Sequence, residues 1–294
     1  MDNILHNLKH EFKKGTILNK LISINVGIFL LFSILGVLSY FITGSEDISP
    51  LLNKLYLPAE NSRLISQPWT FITYMFLHNG FMHLLFNMLW LHFGGKIFLQ
   101  YLHPKQLLST YILGGISGGL LFIIAYNYIP SLQGYLDGAQ ALGASASVLA
   151  IIVAIATYTP NYSVQLPFIG FVKLKHIAIL TVALDIISIP KGNSGGHIAH
   201  IGGALFGYIY IKQMRKGNDF SKGFSSFLER LINTFKAKSK LKTVHKRAKS
   251  DYDFNKEKSA KQKEIDIILE KIANSGYESL SKEEKATLFS ASKK

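Results

Sequence analysis

Residues with the chemistry of a hydrolase lie inside apolar stretches of this 294-residue sequence. Ser145 follows Gly143-Ala144, and His200 lies between Ala199 and an apolar, glycine-rich run. A serine hydroxyl becomes a nucleophile when a neighbouring base takes its proton, and histidine is the usual base near neutral pH. The sequence therefore predicts a nucleophile at Ser145 and its base at His200.

A second pair of polar residues, His83 and Asn87, has a spacing that suits oxyanion stabilisation. Residues four apart lie on one face of a helix. Acyl transfer needs hydrogen-bond donors that point at the oxygen on which negative charge develops. His83 and Asn87 can each donate one hydrogen bond, and the backbone N–H of Ser145 can donate a third from the first turn of its helix.

The elements that must position these residues are long apolar segments. Helices are expected here, because backbone that crosses hydrocarbon must satisfy its own hydrogen bonds and about 20 helical residues span a bilayer. The sequence predicts an all-α polytopic membrane protein whose six spans form a bundle at residues 21–212. The six predicted spans are 21–43, 81–102, 107–129, 142–158, 171–189 and 197–211.

Lysines in the loops predict how the spans are oriented. They are concentrated in the N-terminal segment 1–20 and in the loops after the second and fourth spans. The positive-inside rule then puts both termini in the cytoplasm. Spans two, four and six all begin on the outer side, so their polar residues share a depth in the outer leaflet. Such groups inside a membrane usually mark a functional site.

These residues resemble the motifs of rhomboid intramembrane serine proteases, over roughly residues 18–212. A glycine–any–serine motif ends at Ser145, and an alanine–histidine motif with two following glycines contains His200. A histidine–three residues–asparagine motif spans His83 and Asn87. The resemblance implies a Ser–His dyad of Ser145 and His200, with oxyanion stabilisation by His83 and Asn87.

The chain departs from the family pattern at three places. The residue after the serine is Ala146, where the family usually has glycine. The residue after Trp69 is Thr70, where the family often has arginine. The family commonly has an aromatic residue four positions after the serine, which packs on the histidine, whereas this chain has Leu149. The reacting groups are all present, but the packing of the histidine differs.

Two further polar residues are candidates for an auxiliary role. Asp185 is the one carboxylate within the predicted spans, and the topology gives it the depth of His200, so that it can orient a histidine as a triad acid does. A water-facing or helix-packing role for Asp185 stays open. His197 lies one turn before His200, where it either touches substrate or water or is an interfacial residue.

No metal or cofactor is expected from the sequence. Serine and asparagine are poor metal ligands, and no His-Glu-x-x-His helix occurs. The absence of cysteine excludes disulfides, thiol nucleophiles and iron–sulfur clusters.

The net charge of +14 belongs mainly to the C-terminal part of the chain. Residues 211–294 carry 21 Lys+Arg against 11 Asp+Glu, whereas residues 1–210 carry 11 against 7. We expect the basic linker 213–260 to contact anionic lipid rather than nucleic acid. Residues 261–294 are predicted to form a small helical hairpin, with capping-box spacing between Ser281 and Glu284.

The functional prediction is an intramembrane serine endopeptidase that cleaves transmembrane segments of membrane proteins. The alternative is a non-catalytic rhomboid-like protein that binds membrane helices for trafficking. A solute transporter predicts inverted repeats, and we find none in the sequence. The bacterial plasma membrane is the predicted location, because no organelle-targeting extension is evident.

Overall fold

A computed structural model describes residues 15–166, 169–235 and 251–292 of the chain. The chain divides into two compact units, Met1–Lys236 and Ala237–Lys294. Helices dominate both units, as an all-α fold requires. The short strands of the described residues lie in the first unit and form two antiparallel pairs.

Six helices of the first unit, 14 to 27 residues long, occur where the apolar segments predict spans. Two of them are long and apolar enough to cross a membrane by length and composition alone, the first and the third. The crossing of all six therefore stays a prediction. The helices are α1 (Ile17–Thr43), α2 (Phe81–Tyr101), α3 (Pro104–Tyr128), α4 (Ser145–Tyr158), α5 (Leu174–Ser188) and α6 (Ser194–Arg215).

Helix α4 lies at the centre of this unit and packs against α2, α3, α5 and α6. Helix α6 comes so close to it that a side chain on Gly203 would overlap the backbone oxygen of Ala146. A side chain on Gly207, the next glycine of the same face, would likewise overlap the backbone oxygen of Ala150. Small residues let helix backbones approach closely in a membrane bundle. The two glycines thus bring the middle of α6 next to the first half of α4.

The chain between α1 and α2 forms short helical turns and one strand. Strand β1 (Leu57–Pro58) pairs antiparallel with β2 (Gln140–Ala141). The turns are Ser49–Leu52, Asn61–Ser66, Thr70–Thr73 and the 3-10 turn Tyr74–Phe76. The strand pairing ties this long connection to the segment that leads into α4.

A β-hairpin precedes α5, where the sequence predicts the start of the fifth span at residue 171. Strands β3 (Ser163–Leu166) and β4 (Gly170–Lys173) pair antiparallel, with Val164 opposite Val172. The apolar run thus includes part of a strand, and the helix begins at Leu174. Hydropathy alone does not separate an apolar strand from the helix that follows it.

An amphipathic helix, α7 (Phe220–Phe235), follows α6 and contacts α3. The Lys105 ammonium donates to a carboxylate oxygen of Glu229 at 2.6 Å. Asp219, just before α7, accepts hydrogen bonds from Ser221 and Gln106. Burial alone would raise the pKa of Asp219, but the hydrogen bonds from Ser221 lower it below the ordinary value. The basic run at 236–250, predicted to contact anionic lipid, lies outside the described residues.

The second unit contains α8 (Asp251–Ser275), a 3-10 turn (Tyr277–Ser279) and α9 (Lys282–Ser292). The backbone N–H of Ser281 donates to a carboxylate oxygen of Glu284 at 2.7 Å, and the N–H of Glu284 donates to Ser281 Oγ at 3.2 Å. This reciprocal pair is the capping box that the spacing predicts. Helix α8 begins inside segment 213–260, which the sequence predicts to be a basic linker.

Candidate active site

Ser145 is the first residue of α4, and a glycine with a positive φ lies two positions before it. Gly143 has a φ of 121°, a backbone conformation that residues with a side chain rarely adopt. Its N–H donates to the carbonyl oxygen of Tyr74 at 2.9 Å, which fixes the chain just before the helix. The N–H of Ser145 lies in the first turn of α4 and therefore has no acceptor within the helix.

The same glycine lies against His83, so that the starts of α2 and α4 meet there. A Cβ added to Gly143 would lie 3.0 Å from Nε2 and Cε1 of His83 and 3.5 Å from Ser145 Oγ. The His83 ring and the Ser145 hydroxyl thus flank one point of the backbone. A side chain at that point would fill the space between them.

A hydrogen bond from the backbone fixes the tautomer of His83. The backbone N–H of Asn79 donates to His83 Nδ1 at 3.2 Å, and Asn79 precedes Gly80, which has a φ of 91° at the start of α2. Because Nδ1 accepts, a neutral ring carries its proton on Nε2. The Nε2–H group therefore remains as a donor on the side of Ser145.

Asn87 is buried one turn further along α2. Its side-chain Nδ2 donates to the carbonyl oxygen of His83 at 2.8 Å. This bond holds the amide on the face that carries the His83 ring, as the four-residue spacing predicts. The second N–H of the amide remains as a donor.

His200 is held by a buried carboxylate on α5. Asp185 Oδ1 lies 2.8 Å from His200 Nδ1 and also 2.8 Å from His197 Nδ1. Asp185 is only 7% exposed, and its Oδ2 atom is buried with no partner among the described residues. Because an ionised carboxylate only accepts, each histidine donates from Nδ1, and a neutral His200 keeps its lone pair on Nε2.

One cavity joins these residues. Its volume is about 710 Å³, and its lining includes the side chains of Ser145, His200, His83, Asn87 and Asp185. Residues that the sequence separates by more than 100 positions thus border one space. His197 contacts Asp185 instead of lining the cavity.

Two residues that border His83 were missed as site candidates. Asn79 supplies the hydrogen bond to the ring, and the ring of His78 packs edge-on against it at 5.2 Å between centroids. Burial, and the positive charge of His83 when it is protonated, lower the pKa of His78 to about 4. The sequence signal that could have identified His78 and Asn79 is their position, one turn before His83 at a predicted helix start.

Asp185, His197 and His200 also form a donor set of the kind that binds transition metals. One ligand atom from each lies within 4.8 Å of the others. Histidine nitrogen and carboxylate oxygen suit zinc. The two hydrogen bonds to Asp185 Oδ1 already account for the arrangement, so we interpret the cluster as a hydrogen-bonded unit.

The arrangement has the parts that acyl transfer needs. His200 Nε2 is the basic nitrogen of a ring whose other nitrogen is held by a carboxylate. His83, Asn87 and the N–H of Ser145 are donors that border the same cavity.

Comparison with known proteins relates both units to described families. Residues 66–216 match the Rhomboid domain, and residues 249–294 match a family of unknown function, DUF6576. RHOMBOID-like protein 12, mitochondrial, of Arabidopsis thaliana is 31% identical over 157 residues, which are 50% of this chain and 47% of that protein. Presenilin-associated rhomboid-like protein A, mitochondrial, of Danio rerio is 33% identical over 140 residues, which are 46% of this chain and 35% of that protein.

A bacterial protein is also similar. Rhomboid protease GlpG of Haemophilus influenzae is 28% identical over 170 residues, which are 57% of this chain and 79% of that protein. The chain spans half or less of the length of the two mitochondrial relatives. Because the Rhomboid domain matches about half of the chain, the protein belongs to the membrane-embedded rhomboid family.

Proposed function

We propose that this protein is an intramembrane serine endopeptidase of the rhomboid type, which cleaves transmembrane segments of other membrane proteins. The observation that carries the proposal is the convergence of Ser145, His200, His83 and Asn87 on one cavity. The similarity to Rhomboid protease GlpG supports it. The names of the two mitochondrial relatives call them rhomboid-like and do not mention a protease.

The reaction begins when Ser145 Oγ attacks the carbonyl carbon of the scissile peptide bond. Its proton passes to His200 Nε2, and the carbonyl electrons move onto oxygen. Collapse of this tetrahedral intermediate breaks the C–N bond, and the leaving amine takes the proton from His200. Water then attacks the acyl-enzyme by the same steps, which releases the new carboxyl end and restores Ser145.

The negative oxygen of the intermediate lies between three donors in this scheme. These are His83 Nε2–H, an amide N–H of Asn87 and the backbone N–H of Ser145. Loss of a single donor of this type typically lowers kcat by about 10²–10³. The hydrogen bonds from Asn79 and to the His83 carbonyl hold two of the donors in place before substrate arrives.

Asp185 acts as a positioning residue for His200. Rhomboid proteases commonly pack an aromatic ring on the histidine, and this chain has Leu149 at that position. The 2.8 Å hydrogen bond from His200 Nδ1 to Asp185 takes over the orienting role and fixes the tautomer with Nε2 free. His197 is the second donor to the same oxygen and holds the carboxylate in place.

Helices α1 to α6 all cross the membrane in this proposal, with the cavity in one leaflet. Helix α4 has 14 residues, or about 21 Å at 1.5 Å per residue, against a hydrocarbon thickness of about 30 Å. A helix this short leaves a water-accessible space at the Ser145 end. Hydrolysis needs such a space.

Both termini lie on the side of the basic loops in this topology. Two of these relatives have mitochondrial names and one is bacterial. Their names therefore make the predicted location, the bacterial plasma membrane, doubtful. The chain contains no cysteine, so single cysteines added at the loops report their side by labelling with an impermeant maleimide.

The test of the proposal is cleavage of a model single-span substrate by the purified full-length protein in lipid vesicles. We expect wild-type protein to release two fragments and Ser145→Ala and His200→Ala to release none. Ser147→Ala is the matched control, because Ser147 lies on the same helix outside the cavity. Mass spectrometry of a fluorophosphonate adduct locates the nucleophile.

The alternative, a non-catalytic protein that binds membrane helices, predicts a different result. Wild type, Ser145→Ala and His200→Ala would all leave the substrate intact, yet each would retain it in a pull-down from detergent. That result would refute the protease proposal.

A further inference from the structure

A second groove lies on the same helices as the candidate active site but shares no lining residue with it. Its volume is about 710 Å³, and α4, α5 and α6 form its walls. The walls are apolar along most of their length, with alanines that widen the groove between larger side chains. The apolar lining includes Ala178, Val182, Ala183, Ile186, Ala204 and Leu205.

Three cations lie together at one end of this groove. Lys175 is in the first turn of α5, and Lys212 and Arg215 are in the last turn of α6. The short connection between α5 and α6 makes them antiparallel neighbours, which brings these turns to the same end. No carboxylate lines the groove, and none of the three cations forms an ion pair within the described parts of the chain.

Tyrosines hold two of these cations in place. Arg215 Nη2 donates to the carbonyl oxygen of Tyr158 at 2.8 Å, and its guanidinium carbon lies 5.8 Å from the centre of that ring. Lys212 Nζ lies 5.5 Å from the ring centre of Tyr208. Tyrosine is enriched where a membrane protein meets the membrane–water interface. The basic end of the groove therefore has the composition of an interface.

The length of the groove corresponds to one leaflet. Ile186 lies eleven positions after Lys175 on α5, a rise of about 16 Å at 1.5 Å per residue. This length is similar to half the thickness of a hydrocarbon core, which is about 30 Å in total. In the six-span topology proposed above, the groove would therefore reach from the interface to the middle of the bilayer.

We propose that this groove binds one anionic glycerophospholipid. The headgroup phosphate contacts Lys175, Lys212 and Arg215, and one acyl chain lies along the alanine-rich wall between α5 and α6. Basic pockets between membrane helices bind anionic headgroups, whereas an apolar surface without charge selects no headgroup. The site is separate from the lipid contact predicted for the basic linker, and it does not depend on the proposed protease activity.

Native mass spectrometry tests the proposal on the full-length protein released from nanodiscs of equal phosphatidylglycerol and phosphatidylcholine. We expect wild type to retain one phosphatidylglycerol per chain. Lys175→Gln with Lys212→Gln should lower this affinity by roughly 30-fold, because each nearby charge contributes about a factor of five. Lys173→Gln with Lys216→Gln removes the same charge from the same helix ends outside the groove and should change nothing.

Variants that fill the groove distinguish lipid bound in the groove from lipid that is merely attracted to the basic loops. Ala183→Phe fills the groove from its α5 wall. If that variant does not fold, Leu205→Trp fills the groove from α6, at a position that is 52% exposed. Either variant should release the bound lipid while the helical circular dichroism signal stays unchanged.

Three outcomes would overturn the proposal. One is equal retention of both lipids, and another is unchanged phosphatidylglycerol binding in the Lys175/Lys212 variant. The third is a dimer without lipid that Ala183→Phe dissociates, because the groove would then hold a second copy of the chain.

Discussion

Replacing Asp185 with asparagine removes a single charge from the hydrogen-bonded unit next to the proposed base. The carboxylate accepts hydrogen bonds from His200 and His197, both at 2.8 Å. Asparagine has the same shape, but its amide group is neutral and one of its two polar atoms is a donor. Asp185→Asn therefore weakens the hydrogen bond that holds His200 Nδ1.

The expected loss of activity follows from the strength of that hydrogen bond. A hydrogen bond to a charged group contributes about 1.5–3 kcal/mol. Each 1.36 kcal/mol is tenfold in rate, so kcat should fall by about 10- to 150-fold. The KM for a model transmembrane substrate should change little, because Asp185 acts through His200.

The assay must distinguish a positioning role from a structural one. We would measure kcat and KM in lipid vesicles across pH 5 to 9, together with the midpoint of thermal unfolding. A positioning role lowers kcat per folded enzyme at every pH and leaves the unfolding midpoint near that of wild type. A purely structural role lowers the amount of folded enzyme and the unfolding midpoint.

A second variant links Asp185 to the leucine at the position where rhomboids have an aromatic residue. In the Asp185→Asn background, Leu149→Tyr should recover part of the lost kcat, because an aromatic ring there packs on the histidine in related proteins. The cavity beside Leu149 offers space for the ring. Near-wild-type turnover of Asp185→Asn at every pH, with Ser145→Ala inactive, would refute the positioning role and leave the protease proposal intact.

Three further predictions concern helix packing, the oxyanion donors and pH. Gly203→Ala should lower the unfolding midpoint and the activity together, because its Cβ overlaps the neighbouring backbone, whereas Gly134→Ala, with no atom near its Cβ, should alter neither. Asn87→Ala should lower kcat by about 10²–10³ with KM little changed, and an unchanged kcat would contradict its role as a donor. The pKa of His78 lies near 4 in the folded chain and near 6.5 when unfolded, so folding stability should fall as pH drops from 6.5 to 4. In His78→Leu that loss should shrink, as measured by thermal unfolding at each pH; an identical loss in the variant would contradict this assignment.

Several parts of the fold followed from local sequence signals. The Asn79-Gly80 pair marks a turn, and α2 begins at the next residue, Phe81. Four-residue spacing placed His83 and Asn87 on one face, and a bond of 2.8 Å joins them. These features depend on neighbours in the chain, which a sequence displays directly.

Contacts between distant segments were harder to predict. The topology gave Asp185 the depth of His200, but depth does not specify rotation about the helix axis. The shared hydrogen bond to His197 and His200 depends on that rotation. The pairing of β1 with β2 was likewise invisible, because strands of two residues carry no hydrophobic periodicity.

Helix α5 connects the proposed active site with the proposed lipid site. Only Leu174, Ile177, Ala178 and Asp185 are buried among its 15 residues. The three apolar residues hold the end of α5 that carries Lys175, and Asp185 is the buried contact at the other end. Since that contact runs to His200 and His197, the carboxylate next to the proposed base also fastens α5 to α6. A lipid between these two helices would act on the same packing from the opposite leaflet.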